Sequence, residues 1–258
     1  MNHDTRPIRI FLSGCSGVGK TTLAKALADI LKFDYVTSSA SEAWPQIGVT
    51  SHAETRNLGP ANALKYQRLV QDIRVNKLRK EEGHVITDRG SMDMLVYLDD
   101  YQMNQDGKRE FIGEIMDDLL KDLEDYRCLF IKVVKPFKWV TEDNGKRIPD
   151  ELYQTYSNMK FVGLDFRSFM PFGKESSLAL KRYYNCYDLN TNFMSLKLMG
   201  TRGGLCKMPV GMITSEVLQK RILGVIQMLV NLEYIEQDYF DALFKSVSEN
   251  KYDPKDYQ

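Results

Sequence analysis

Residues 14–21, GCSGVGKT, constrain this chain more than any other stretch. An apolar run, IRIFLS from Ile8 to Ser13, stops at Gly14; after four intervening residues comes Gly19, and Lys20-Thr21-Thr22 then opens a helical pattern. Glycines at that spacing let the backbone wrap until successive N–H groups point at one anion. The helix that follows adds the positive end of its dipole. In such a loop Gly14, Ser16, Gly17, Val18, Gly19, Lys20, Thr21 and Thr22 would line the phosphates of a nucleotide. Lys20 would reach the outer phosphates and the Thr21 hydroxyl would ligate Mg²⁺. Strand, loop and helix in this order commit the chain to an α/β layer with a parallel sheet.

The rest of the chain continues that rhythm. A helix is expected over Lys20–Leu31, then a short strand over 33–37 leading into SSASEAW, a polar loop that ends in an aromatic. Between 61 and 82, Tyr66, Leu69, Val70 and Ile73 recur at helical spacing, and Gly83 stops the pattern. A third strand over 84–87 ends at Asp88-Arg89-Gly90. Further helix is expected over 93–101 and 110–123, a fourth strand, apolar but for Lys132, over 128–134, and a fifth over 210–213. An amphipathic helix over 215–232 has Thr214 or Ser215 as its cap. Uniformly apolar strands alternating with helices mean a sheet buried on both faces. The expected fold is α/β, a doubly wound parallel sheet of P-loop kinase type with helices on both faces.

Residues 157–207 interrupt the pattern with seven aromatics at no clear period up to Tyr187. They carry eight Lys or Arg against three Asp or Glu, a local excess of five in a chain whose 35 basic and 35 acidic residues cancel. We read them as an inserted basic and aromatic segment between a first core part, 1–156, and its completion with the C-terminal helices, 208–258. The segment is either a nucleic-acid surface, where bases stack between cations, or a small subdomain or oligomer contact whose aromatics form their own core. The N-terminal apolar run is too short for a signal peptide, and no later run is long enough to span a membrane. Cys15, Cys128, Cys186 and Cys206 share no CxxC spacing, which suits free thiols in a reducing, cytoplasmic setting.

Phosphate loops serve many reactions. A GTPase needs a guanine-reading Asn-Lys-x-Asp after a later strand, and 133–136 reads Val-Val-Lys-Pro instead. Large ATPase machines end an apolar strand in Asp-Asp or Asp-Glu, whereas the third strand here ends VITDRG. That DRG, with Asp93 and Tyr97 following, resembles the DR motif of small P-loop kinases. Three stretches resemble the kinases related to the nicotinamide riboside kinase domain of bacterial NAD regulators, with deoxynucleoside and thymidylate kinases as the wider circle. They are GCSGVGKTTLAKAL, HVITDRGSMDMLVYL, and CLFIKVVKPFKWVTEDNGKRIPDELYQ, a strand followed by an acidic turn like that family's lid. ITSEVLQKRILGVIQML sits where the family closes its core. The likeness covers about 8–156 and 208–232.

The resemblance implies a kinase that uses ATP and Mg²⁺, with a nucleoside or nucleoside monophosphate as its small-molecule acceptor. Asp88 would hold Mg²⁺ or act as base; Arg89 would clamp substrate or phosphate. Arg147, supported by Lys146, would close as a lid arginine. Glu42 falls where deoxynucleoside kinases place the carboxylate that takes the hydroxyl proton. Trp44 or Tyr97 would stack on a base. Arg68, Arg74 and Arg79 lie on the helix that faces the acceptor in related kinases. Each has a plainer use: a strand-end ion pair for Asp88 and Arg89, core packing for the aromatics, solvated charge for the rest. Two other functions stay open: a nucleic-acid kinase acting on a 5′-hydroxyl or a hydroxymethylated base through 157–207, and a non-catalytic nucleotide switch.

Overall fold

Strands that read as continuous apolar runs need cover on both faces, and the sheet shows why. The computed structural model describes residues 4–37, 40–133, 155, 159, 183–187, 193–199 and 205–257. The central strand β1 (Ile8–Ser13) pairs in parallel with β3 (Val85–Thr87), Ile10 opposite Ile86, and with β4 (Arg127–Val133), Ile10 opposite Leu129. β2 (Asp34–Val36) lies outside β3, and β7 (Leu205–Ile213) outside β4. The five parallel strands therefore run β2-β3-β1-β4-β7. Beyond β7 the sheet continues with β6 (Phe193–Met199) and β5 (Tyr183–Tyr187), both antiparallel.

Side chains alternate across a strand, so β1 and β4 each feed two cores. Ile8, Ile10 and Leu12 join Leu129, Ile131 and Val133 on one face. There they meet α1 (Lys20–Leu31) and the two C-terminal helices, α7 (Leu218–Asn231) and α8 (Gln237–Glu249). Phe11 and Phe130 point to the other face and stack at 4.7 Å. That face is covered by α4 (Pro60–Arg79), α5 (Ser91–Tyr97) and α6 (Gln105–Asp125), with the short α2 (Trp44–Ile47) and α3 (His52–Arg56) at one side. Burying side chains of this size contributes about 1.5–3 kcal/mol each. Arg9, also inward on β1, is buried with its two terminal nitrogens donating to the Glu81 and Gly83 carbonyls and its guanidinium over the Tyr126 ring, 4.2 Å away.

The doubly wound parallel sheet expected from the sequence is thus present; α6 starts at Gln105 rather than 110, the antiparallel β5 and β6 were not expected, and two further differences have a visible cause. β7 begins five residues before the expected 210. Its first part, 205–209, pairs only with β6; β4 joins from Val210. Only the stretch paired with β4, VGMI over 210–213, has the apolar signature of a buried strand. Pro209, which has no N–H to give, sits just before β4 joins. The second difference is at α7, which starts at Leu218 rather than 215. The Ser215 hydroxyl accepts the Val217 N–H at 3.1 Å and so closes a turn before the helix instead of capping it. Among the described residues no helix is long and apolar enough to cross a membrane. Most of 157–207 lies outside the described residues; residue 159, β5, β6 and the start of β7 are the parts that do not.

Candidate functional site

The loop between β1 and α1 lies at the carboxyl end of the sheet, where open α/β sheets bind ligands. Gly14 has φ +150°, and a Cβ there would run into the Val133 carbonyl at the end of β4. Gly17 and Gly19 are left-handed, at φ 83° and 84°, and Gly19 caps α1. Val18 anchors the loop by burying its side chain in the core, while Ser16 and Thr22 are half-buried and Thr21 is exposed. Lys20 is only 6% exposed; its ammonium donates to the Gly14 and Cys15 carbonyls at 2.8 and 2.7 Å. Burial lowers its pKa to about 8, and the nearby Arg89 guanidinium pushes the same way.

Asp88 follows β3 directly and faces the first turn of α1. One carboxylate oxygen accepts the Thr21 hydroxyl at 2.7 Å and the Tyr35 hydroxyl at 3.0 Å; the other accepts Thr37 at 3.3 Å. Tyr35 is pushed up to about 12, by burial first and by the Asp88 charge second. A hydroxyl and a carboxylate meeting beside a phosphate loop are the hard oxygen donors Mg²⁺ takes, with phosphates and water completing the shell. Among the described residues no group of three or more His, Cys, Asp or Glu could hold a metal ion. A site here would therefore depend on the ligand's own oxygens.

Beside Asp88 the DRG turn is braced from below. Asp93, in the first turn of α5, accepts the Ser13 hydroxyl at 2.8 Å and the Gly90 N–H at 2.9 Å on one oxygen. Its other oxygen lies 3.9 Å from Arg89, whose guanidinium also sits over Tyr97 at 5.7 Å. Arg74, buried on α4, donates to the Gly90 carbonyl and to Gln71, both at 2.9 Å. Burial brings its pKa down to about 10. Gly90 is tightly flanked: a Cβ there would lie 3.1 Å from the Phe11 ring, which would have to give by a few tenths of an ångström.

The structure brings Lys20, Thr21, Asp88 and Arg89 together at this loop. Glu42 is exposed and held by Lys77 at 2.6 Å; Lys77 also donates to the Thr37 carbonyl at 3.1 Å, which links Glu42 to the Asp88 shell. Trp44 is packed in the second core, 8% exposed, edge-on to His52 at 5.4 Å. Arg68 is engaged with Glu110 and Glu114 on α6, at 2.7 and 2.5 Å, and Arg79 with Asp118 at 2.8 Å. Arg147 and Lys146 lie outside the described residues. Sequence reasoning did not single out Tyr35, Thr37, Ser13 or Arg221. Arg221, on α7, is completely buried and donates to the Val18 and Ser215 carbonyls, each at 2.6 Å. No local spacing signals these residues, because each reaches the site only through the fold.

Residues 9–159 match the AAA domain family. No curated protein matches the chain. Among solved structures, a shikimate kinase from Acinetobacter baumannii in complex with shikimate is 18% identical over 65% of this chain and 80% of that one, with a TM-score of 0.35. The YorR protein from Bacillus subtilis, in complex with phosphorylated GDP, is 18% identical over 66% of this chain and 88% of that one, with a TM-score of 0.31. Neither likeness is close enough to bear on activity. The family match spans more than half the chain and contains the phosphate loop and the DRG turn: the chain belongs to the AAA domain family, and this part of it is a P-loop nucleotide-binding domain.

Proposed function

We propose that the protein is a kinase that uses ATP and Mg²⁺ to phosphorylate a nucleoside or a (deoxy)nucleoside monophosphate. The observation that carries this reading is the 2.7 Å bond between the Thr21 hydroxyl and Asp88. It puts the carboxylate at the end of β3 against the loop that would hold a triphosphate, and DRG at that place is the motif shared with small P-loop kinases. It differs from the acidic pair expected of an ATPase machine.

Transfer at such a site is mostly positioning and charge neutralisation. The loop N–H groups would hold the β- and γ-phosphates. The Lys20 ammonium would leave the Gly14 and Cys15 carbonyls for the phosphate oxygens. Arg89 would exchange part of its contact with Asp93 for the transferring group. Mg²⁺, held by Thr21 and by Asp88 directly or through water, would offset charge on the bridging oxygens. The acceptor hydroxyl oxygen forms the new bond to the γ-phosphorus as the bond to the β–γ bridging oxygen breaks. Asp88 or Glu42 takes the hydroxyl proton. A lid arginine at Arg147 belongs to the same reading.

The test is a screen with γ-labelled ATP and Mg²⁺ over nucleosides, nucleoside monophosphates, and single- and double-stranded DNA. Label transfer to a free nucleoside or monophosphate is the expected result. Transfer to DNA alone, with binding that weakens steeply as salt rises, would replace this reading with the nucleic-acid kinase served by the basic segment. Nucleotide binding with no acceptor phosphorylated would leave the switch.

A further inference from the structure

The Val18 carbonyl lies one residue before the Gly19 cap, whose own carbonyl accepts the first helical bond, from Leu23 N–H at 3.0 Å. It sits outside the helix ladder and is held by Arg221, from 203 residues further along the chain. In a planar trans peptide the C=O and the N–H point to opposite sides. A donor that pins the Val18 oxygen on the core side therefore turns the Gly19 N–H the other way, into the loop's concave face. The same guanidinium donates through Nε to Ser215, in the turn that follows β7. Arginine suits the task because its donors are set in a rigid plane and can serve two fixed carbonyls at once, which an ammonium on a flexible stem cannot do as well. The side chain is buried, and the two carbonyls are among its partners.

We propose that Arg221 is a positioning residue for the phosphate loop: it orients the Val18–Gly19 peptide toward the phosphates and couples the loop to the Ser215 turn. The inference rests on the loop binding a nucleotide. Arg221 itself touches no phosphate. Its buried charge, fixed behind the loop, also adds a positive field at the anion site.

The experiment compares wild type with Arg221→Met, which keeps bulk and loses every donor, and Arg221→Lys, which keeps charge but replaces the planar fork with a single ammonium. Dissociation constants are measured by calorimetry for Mg·ATP and for Mg·tripolyphosphate, which has no base or sugar, in the cold and alongside thermal unfolding. Arg221→Met should bind both ligands about tenfold more weakly, the effect of misorienting one amide donor to a charged group. Arg221→Lys should fall between. A purely structural arginine would lower the unfolding temperature and leave both constants at the wild-type value in the folded variants, and that result overturns the proposal. Hydrogen exchange on the wild type covers the case in which Arg221→Met does not fold. Tripolyphosphate should protect 14–22 and 215–221 together; protection of 14–22 alone overturns the coupling. A wild type that binds neither ligand sinks the nucleotide reading itself, an outcome distinct from variants that bind normally.

Discussion

Burial of the Lys20 ammonium between two loop carbonyls lowers its pKa to about 8, so in the ligand-free protein it loses its proton near the upper edge of neutrality. An incoming phosphate favours the charged form. Affinity for Mg·ATP should therefore hold below pH 8 and decline as pH rises through it, with a proton taken up on binding above that point. Calorimetry across pH 7–9.5 in buffers of differing ionisation enthalpy reads both effects; in Lys20→Arg the decline should vanish, because a guanidinium keeps its proton throughout. Asp88→Asn leaves the Thr21, Tyr35 and Thr37 hydroxyls a neutral partner. It should raise the Mg²⁺ concentration needed for half-maximal nucleotide binding by at least about tenfold, read by metal titration. At this scale the sequence shows the residues whose spacing is itself the signal: Lys20 and Thr21 in the loop, Asp88 and Arg89 in DRG. Tyr35 and Thr37 look like ordinary strand residues until β2 lays them over Asp88. Arg221 looks like one more charge on an amphipathic helix. Arg68, chosen for its helix, turns out to be held by two glutamates on α6.

β1 and α1 span the residues expected of them, because each is bounded by a glycine of the loop and driven by a strong local pattern. The element most sensitive to change is the turn joining them. Gly14→Ala meets both an unfavourable φ and the Val133 carbonyl. It should lower stability by about 2–3 kcal/mol and weaken nucleotide binding as well, read by urea unfolding and calorimetry. Phe11→Ala removes a ring stacked on Phe130 and packed beneath Gly90. It should lower stability by about 3–5 kcal/mol, with the folded fraction binding nucleotide near normally. Elements whose ends depend on distant partners carry weaker local signals. β7 extends back to Leu205 because β6 pairs with it, and α7 begins late because Ser215 serves a turn that Arg221 also holds.

Across the whole molecule, one sheet carries two cores and presents its loop where β1 passes between β3 and β4. Apolar strands and alternating helices make this layering legible; the pairing of β6 with β7 and of β5 with β6 is not, because antiparallel strands without a clear alternation leave no periodic trace. That pairing shapes how the basic segment should be tested. Deleting 157–207 would strip β7 of its outer neighbour and expose a bare strand edge, so charge neutralisation is the cleaner change. Replacing Lys160, Arg167, Lys174, Lys181 and Arg182 by Gln should leave Mg·ATP affinity near wild type while weakening use of an anionic acceptor, measured as a rise in acceptor KM. The central claim, that the loop grips a triphosphate, is tested most directly by calorimetric titration of Mg·ATP into the wild type and Lys20→Ala side by side. Saturable one-site binding by the wild type, lost in a folded Lys20→Ala, is the predicted result. No heat of binding to the wild type, or equal binding by both, would contradict it.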